Sequence, residues 1–224
     1  SIGSGRVFYQ MLPRINRDIE QKTFFSNPSL VNAIDHAKEN KTALHVIGLV
    51  SEGLIHSSSS HCYAILEMAK QMKFKDVYVH VILDGRDTEQ DAGLDFVQQL
   101  QEVMKKFKVG KIASLSGRFY SMDRNQRWDR IELAYRAIAE GKSQVTAKDP
   151  IEAIKASYQQ EVYDEQFVPT VIIHKRKATA VINDNDAVIF FNYRPDRARQ
   201  LTKSFVLPNF DKFERTYLPN LFFS

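Results

Sequence analysis

The stretch ALHVIGLVSEGLIHSSSSHCYAILEMAKQMKFKDVYVHVIL, residues 43–83, decides the fold. Its two ends, ALHVIGLV (43–50) and DVYVHVIL (76–83), are nearly unbroken runs of aliphatic and β-branched residues, the pattern of strands buried on both faces. Between them Cys62, Ile65, Leu66, Ala69 and Met72 recur at helical spacing. Two such strands joined through a helix form a βαβ unit and lie parallel.

The same alternation continues outward. Leu94, Val97, Leu100, Met104 and Phe107 mark a helix, KIASL (111–115) a third strand, and Ile131, Ala134, Tyr135 and Ile138 a helix that stops near Gly141. Upstream, Asn27 is placed as an N-cap with Pro28 at the first helical position, predicting a helix over 27–39 with Leu30, Ala33, Ile34 and Ala37 on one face. Asp149, Pro150 and Glu152 open another helix in the same way. PTVII (169–173), ATAVI (178–182) and DAVIFF (186–191) read as strands, the first two as an antiparallel hairpin across the basic HKRK. The expectation is an α/β protein with three α/β/α layers around a mostly parallel, mixed sheet of about six strands. It forms one domain over 1–224, with 1–20 and 213–224 as connectors outside the βα units.

A chain of 224 residues, 43% of them hydrophobic, can bury a proper core. The balance of 31 basic and 27 acidic residues gives only +4, which argues against a nucleic-acid protein with a broad electrostatic footprint, so any anion site must be local. The single cysteine, Cys62, allows no internal disulfide and has no zinc-type neighbours. No apolar run approaches the roughly 18 residues of a membrane span and no leader pattern opens the chain, so the expectation is a cytoplasmic protein with no membrane partner.

In open α/β sheets ligands sit beyond the carboxyl ends of the strands. The loops there carry SEGLIHSSSSH with His56 and His61, DGRDT with Arg86 and Asp87, SGRFYSMDRNQRWDR with Arg118, Arg124, Arg127 and Arg130, and NYRPDRAR with Arg194, Arg197 and Arg199. If the four strands are parallel neighbours, these arginines converge. Arginine suits the task because its planar guanidinium grips carboxylate or phosphate oxygens through two parallel hydrogen bonds. The lysines fall elsewhere, in KKFKVGK (105–111) and HKRK (174–177), as solvated faces do.

Each candidate has a plainer reading beside the functional one. Asp87 is a turn residue paired with its neighbouring arginine, or a carboxylate exchanging a proton with a substrate hydroxyl. His56 caps a helix or meets an oxyanion. His36, His45, His61, His80 and His174 read as structural; Asp84 and Asp129 orient loops or cap helices; Trp128 and Tyr120 pack the core or wall a pocket. No phosphate-binding glycine loop, dinucleotide fingerprint, metal-ligand spacing or nucleophile elbow is present. From the residues alone, the chain has a grip on anions and no evident reactive centre.

Taken together and in order, LHVIGLVSEGLIHS, YVHVILDGRDT, SGRFYSMDRNQRWDR and FFNYRPDRARQLT resemble the inserted substrate-binding (phosphotransferase) domain of the cofactor-independent phosphoglycerate mutases, of the alkaline phosphatase superfamily. The resemblance implies a glycolytic isomerase that interconverts 3-phosphoglycerate and 2-phosphoglycerate through a phosphoserine, with a partner phosphatase domain holding two divalent metals, usually manganese. It places substrate contacts on His56, Arg86, Asp87, Arg118, Arg124, Arg194 and Arg197, with Asp87 as the catalytic acid/base and no metal ligand or cofactor in this chain. Arg127, Arg130 and Arg199 are left structural or secondary. Where the family commonly reads SDGGVHSH this chain has Glu52, Leu54 and Ser58, which puts the path of the His56 loop in question. The nucleophile motif and the metal-binding half fall outside this sequence, so the expectation is a unit that folds alone and does not turn over. The alternative is a non-enzymatic module that binds small polyanions.

Overall fold

The computed structural model describes residues 11–224. Strands β1 (Leu44–Leu49), β2 (Val77–Leu83) and β3 (Lys111–Gly117) run parallel in consecutive positions, and β7 (Ala187–Phe190) lies parallel on the other side of β1. The full order is β4-β5-β3-β2-β1-β7-β8, in which β4 is Val145–Ala147, β5 Thr170–His174 and β8 Phe222–Phe223, while β6 (Lys177–Ala178) pairs with β5. β5 runs antiparallel to β3 and to β6, so the sheet is mixed.

Sheet alternation sends the side chains to two cores. Leu44, Val46, Val79 and Val81 pack with α2 (Pro28–Asn40), α3 (Ser59–Gln71), α4 (Gly93–Phe107) and α7 (Pro150–Gln159) on one face. Ile47, Leu49, Ile82 and Val188 pack on the other, against α6 (Trp128–Tyr135), its π-helical extension Arg136–Glu140, and α8 (Arg199–Val206). Local signals set the helix starts. The Asn27 side chain accepts from the Ser29 and Leu30 amides and the Asp149 side chain from Ile151 and Glu152, caps worth about 1 kcal/mol each. At its far end the α6 extension stops at Gly141, whose φ of 62° the glycine adopts without steric cost.

Eight strands are present where about six were expected. β4 and β8 are three and two residues long, too short to show a period, and exist only because a sheet neighbour supplies their hydrogen bonds. β6 stops at Ala178 rather than spanning 178–182, because the chain turns away and seats Ile182 in the second core. Of the connector segments, residues 1–10 lie outside the described residues. Met11–Glu20 forms helix α1, and the closing segment returns to the sheet as β8.

The topology also sets where a ligand fits. The chain leaving β1 enters α3 on the first face and the chain leaving β7 enters α8 on the second, so the loops diverge between these two neighbours. Such a switch point leaves a crevice at the carboxyl ends of the strands.

Candidate functional site

Loops from β1, β2, β3 and β7 meet at this crevice. The backbone carbonyl of His56, from the β1 loop, accepts from the Tyr193 amide (2.9 Å) and the Arg194 amide (3.4 Å) of the β7 loop. The Tyr193 hydroxyl donates to the Leu54 carbonyl. Leu54 has φ 60°, the left-handed region, so the residue standing where glycine is common in the resembling family is accommodated in a glycine-like conformation. Ser58 serves as the N-cap of α3.

Arg118, at the end of β3, is 3% exposed and lies at the centre. Its Nη1 donates to Asp84 Oδ1 (2.8 Å) and to Asp87 Oδ2 (2.7 Å), and its Nη2 lies 3.1 Å from Nε2 of buried His56. A guanidinium nitrogen only donates, so Nε2 is the acceptor. Burial, and then the charge of Arg118, lower the His56 pKa against the pull of Asp87 and Asp196, leaving the ring neutral at neutral pH with its proton on Nδ1. That Nδ1 has no hydrogen-bond partner among the described residues; Asp196 Oδ1 is 3.9 Å away.

Asp196 sits between two exposed arginines, with Arg194 Nε at 3.1 Å and Arg124 Nη1 at 3.1 Å. Burial pushes its carboxyl up, but Arg194 and the other cationic and N–H neighbours outweigh this and hold it below the usual carboxylate range. The Arg86 side chain, 55% exposed, has Glu165 at 3.5 Å as its ion-pair partner among the described residues. Arg197 has no carboxylate within ion-pair distance among the described residues. Its pKa is lowered, first by burial and then by the charges of Arg124, Arg118 and Arg86, against the pull of Asp196. A polyanion bound among these arginines would relieve the repulsion between them.

Of the seven sequence candidates, His56, Asp87, Arg118, Arg124 and Arg194 are joined in one network, the last two through Asp196, while Arg86 and Arg197 stand on the same loops beside it. Arg127 pairs with Asp129 on the surface, Arg130 stacks over the Phe119 ring, and Trp128 packs edge-on against Phe210 in the second core. Sequence reasoning missed Ser51, Tyr193 and Glu165. Ser51 and Tyr193 act through hydrogen bonds with no motif of their own, and Glu165 arrives from a turn after α7. That turn packs against the glycines that open two site loops: a Cβ on Gly85 (φ 66°) would lie 2.7 Å from the Glu165 amide, and one on Gly117 2.3 Å from its carbonyl oxygen.

Residues 15–223 match the family model described as BPG-independent PGAM N-terminus. The chain is 49% identical over 218 residues to the 2,3-bisphosphoglycerate-independent phosphoglycerate mutase of Clostridium perfringens strain 13, covering 97% of this chain and 42% of that protein. It is 47% identical over 215 residues to the enzyme of the same name from Lachnoclostridium phytofermentans, covering 96% and 42%. A structure described as phosphoglycerate mutase of Leishmania mexicana at low cobalt concentration superposes with a TM-score of 0.91 at 28% identity, covering 99% of this chain and 42% of that one. The chain thus spans less than half the length of these relatives.

Proposed function

The chain belongs to the BPG-independent phosphoglycerate mutase N-terminal family, and from that membership we propose that its crevice holds phosphoglycerate while the phosphate moves between two hydroxyls of the glycerate. The observation that carries this reading is the joining of four strand-end loops: Arg118 contacts both Asp87 and His56, the His56 carbonyl holds the Arg194 amide, and Asp196 lies between Arg194 and Arg124. A phosphate and a carboxylate on one three-carbon frame would pair with Arg197 and take over Arg124 and Arg194 from Asp196 and Arg86 from Glu165, through bidentate contacts. His56 supports this grip from beneath, its Nε2 accepting from Arg118 and its backbone carbonyl accepting from the Tyr193 and Arg194 amides.

Asp87 is the acid/base in this reading. Its carboxylate takes the proton of the glycerate hydroxyl as that oxygen bonds to phosphorus and the phosphoserine P–O bond breaks; in the reverse step it returns the proton. The serine would come from the larger remainder of such an enzyme, reached through 1–20 and 213–224. A metal-dependent mutase uses divalent ions, with manganese the expectation, to neutralise phosphoryl charge. No group of three or more His, Cys, Asp or Glu side chains among the described residues is arranged to hold one. A glycolytic role implies the cytoplasm; no helix among the described residues is long and apolar enough to cross a membrane.

The test is a titration of the 224-residue chain with 3-phosphoglycerate, followed by backbone amide shifts. Weak, saturable changes centred on His56, Arg86, Asp87, Arg118 and Arg194–Arg197 are expected, with no turnover when manganese is added. Unchanged amides at these positions at about a hundredfold ligand excess would reject the reading.

A further inference from the structure

Asp84 is 1% exposed, yet its carboxylate ties together three of the four site loops. Oδ1 accepts from the Arg86 amide (3.1 Å) and the Asp87 amide (3.0 Å), closing the turn that presents both side chains. The same oxygen accepts from Arg118 Nη1 at 2.8 Å, and that nitrogen also donates to Asp87 Oδ2 at 2.7 Å. Oδ2 accepts from Ser51 Oγ at 2.7 Å, and Ser51 Oγ accepts from the Gly53 amide at 3.0 Å, at the start of the loop that carries His56. The turn has no slack: a Cβ on Gly53 would lie 2.7 Å from Asp87 Cβ and 3.0 Å from Asp84 Oδ2.

We propose that Asp84 is the positioning residue of the crevice. By dividing the Arg118 guanidinium with Asp87 it fixes the acid/base carboxylate, the central arginine and the His56 loop in one geometry. This rests on the crevice being the phosphoglycerate site. Asp84 does not face the ligand; it acts through Asp87 and Arg118. Burial raises its pKa, but the Asp87 amide, the Ser51 hydroxyl and Arg118 outweigh burial and hold it below the usual range, so it remains an acceptor for all its donors.

Charge and geometry predict opposite signs, which makes the role testable. Asp84→Asn removes one negative charge beside an anion site, so electrostatics alone would tighten ligand binding. Positioning predicts the reverse. In the 224-residue chain Asp84→Asn is expected to weaken 3-phosphoglycerate binding by about tenfold or more, and Ser51→Ala, which removes only the hydroxyl anchor, by about threefold. A second readout needs no ligand: rotation of the Arg118 guanidinium, followed by NMR at its Nε–H, should be slow in the wild type and become fast in Asp84→Asn while the remaining amide spectrum stays native. Equal or tighter binding by a folded Asp84→Asn overturns the proposal. Should the wild type fail to bind 3-phosphoglycerate, the proposed function falls, and Arg118 rotation decides the positioning role alone: unchanged rotation overturns it, faster rotation supports it.

Discussion

Two buried polar clusters lie on the same sheet, and they differ in what they leave unfinished. Across β1, β2 and β3 runs a sealed chain: Asp186 Oδ2 to His45 Nε2 (3.0 Å), His45 Nδ1 to His80 Nε2 (3.0 Å), and His80 Nδ1 to Ser114 Oγ (2.8 Å). Asp186 also accepts from the Ala43 and Asn183 amides, so every polar side-chain atom in the chain has a partner. At the strand ends, the Asp84–Arg118–Asp87–His56 cluster is nearly as buried but opens onto Arg86, Arg124, Arg194 and Arg197. Among the described residues, its His56 Nδ1 has no hydrogen-bond partner and Arg197 beside it has no carboxylate within ion-pair distance. Burial of histidine and aspartate is common to both. Hydrogen-bonding capacity left unspent, with exposed arginines beside it, separates a site from a staple.

The comparison can be broken most directly at Arg118. Arg118→Ala leaves the Asp84 carboxylate buried without its cation, and a loss of about 3–5 kcal/mol in urea unfolding is expected, together with loss of ligand binding. A change under about 1 kcal/mol would mean that the open cluster is not structurally coupled. Asp186→Ala should cost somewhat less, about 2–4 kcal/mol, by orphaning two amides and the His45 ring, and should leave 3-phosphoglycerate affinity unaltered. Weaker binding in that variant would erase the distinction between the clusters.

A third buried carboxylate sharpens it. Asp164 caps α4 from 71 positions away, accepting from the Gly93 amide at 2.7 Å and from the Tyr158 hydroxyl, beneath the turn that packs on Gly85 and Gly117. Burial pushes its carboxyl up to about 6 against these hydrogen bonds. A raised carboxyl contributes stability that is present below the ordinary value near 4 and is lost as pH rises through about 6. His61, pushed down to about 4 by burial, works in the opposite direction, its contribution growing from about pH 4 toward the ordinary histidine value near 6.5. The difference between wild-type and Asp164→Asn unfolding curves isolates the carboxyl: on the order of 1–3 kcal/mol should disappear from the pH 4–7 profile. Identical profiles would contradict the assignment. The smallest effect on stability is expected at Arg197. Arg197→Gln should change unfolding by no more than about 0.5 kcal/mol, with relief of like-charge repulsion favouring the fold, while 3-phosphoglycerate affinity falls about tenfold. A large loss of stability would show that Arg197 belongs to the scaffold.

Much of this was legible in the residues. Asn27 and Asp149 cap helices as their sequence context predicts, and β1, β2, β3 and β7 are aliphatic runs buried along nearly their whole length. Arginine segregated from lysine pointed to the four loops that the structure brings together. Other features had no local signal. β8 has only two residues and is a strand because β7 lies beside it, and Glu165 reaches the crevice through the packing of its turn on two glycines. Asp84 looked like any turn aspartate until Ser51 and Arg118 were brought to the same carboxylate.

Hydrophobic period, caps and side-chain chemistry are properties of neighbouring residues, and so the sequence by itself determined the alternating α/β architecture and the kinds of group that end each strand. Which guanidinium is neutralised, which stays bare, and which histidine is sealed rather than offered depend on contacts between residues 30 to 140 positions apart. Those contacts exist only after the parallel strands have aligned their carboxyl ends, because hydrogen bonds and charge pairing act over a few ångströms in space and are indifferent to distance along the chain.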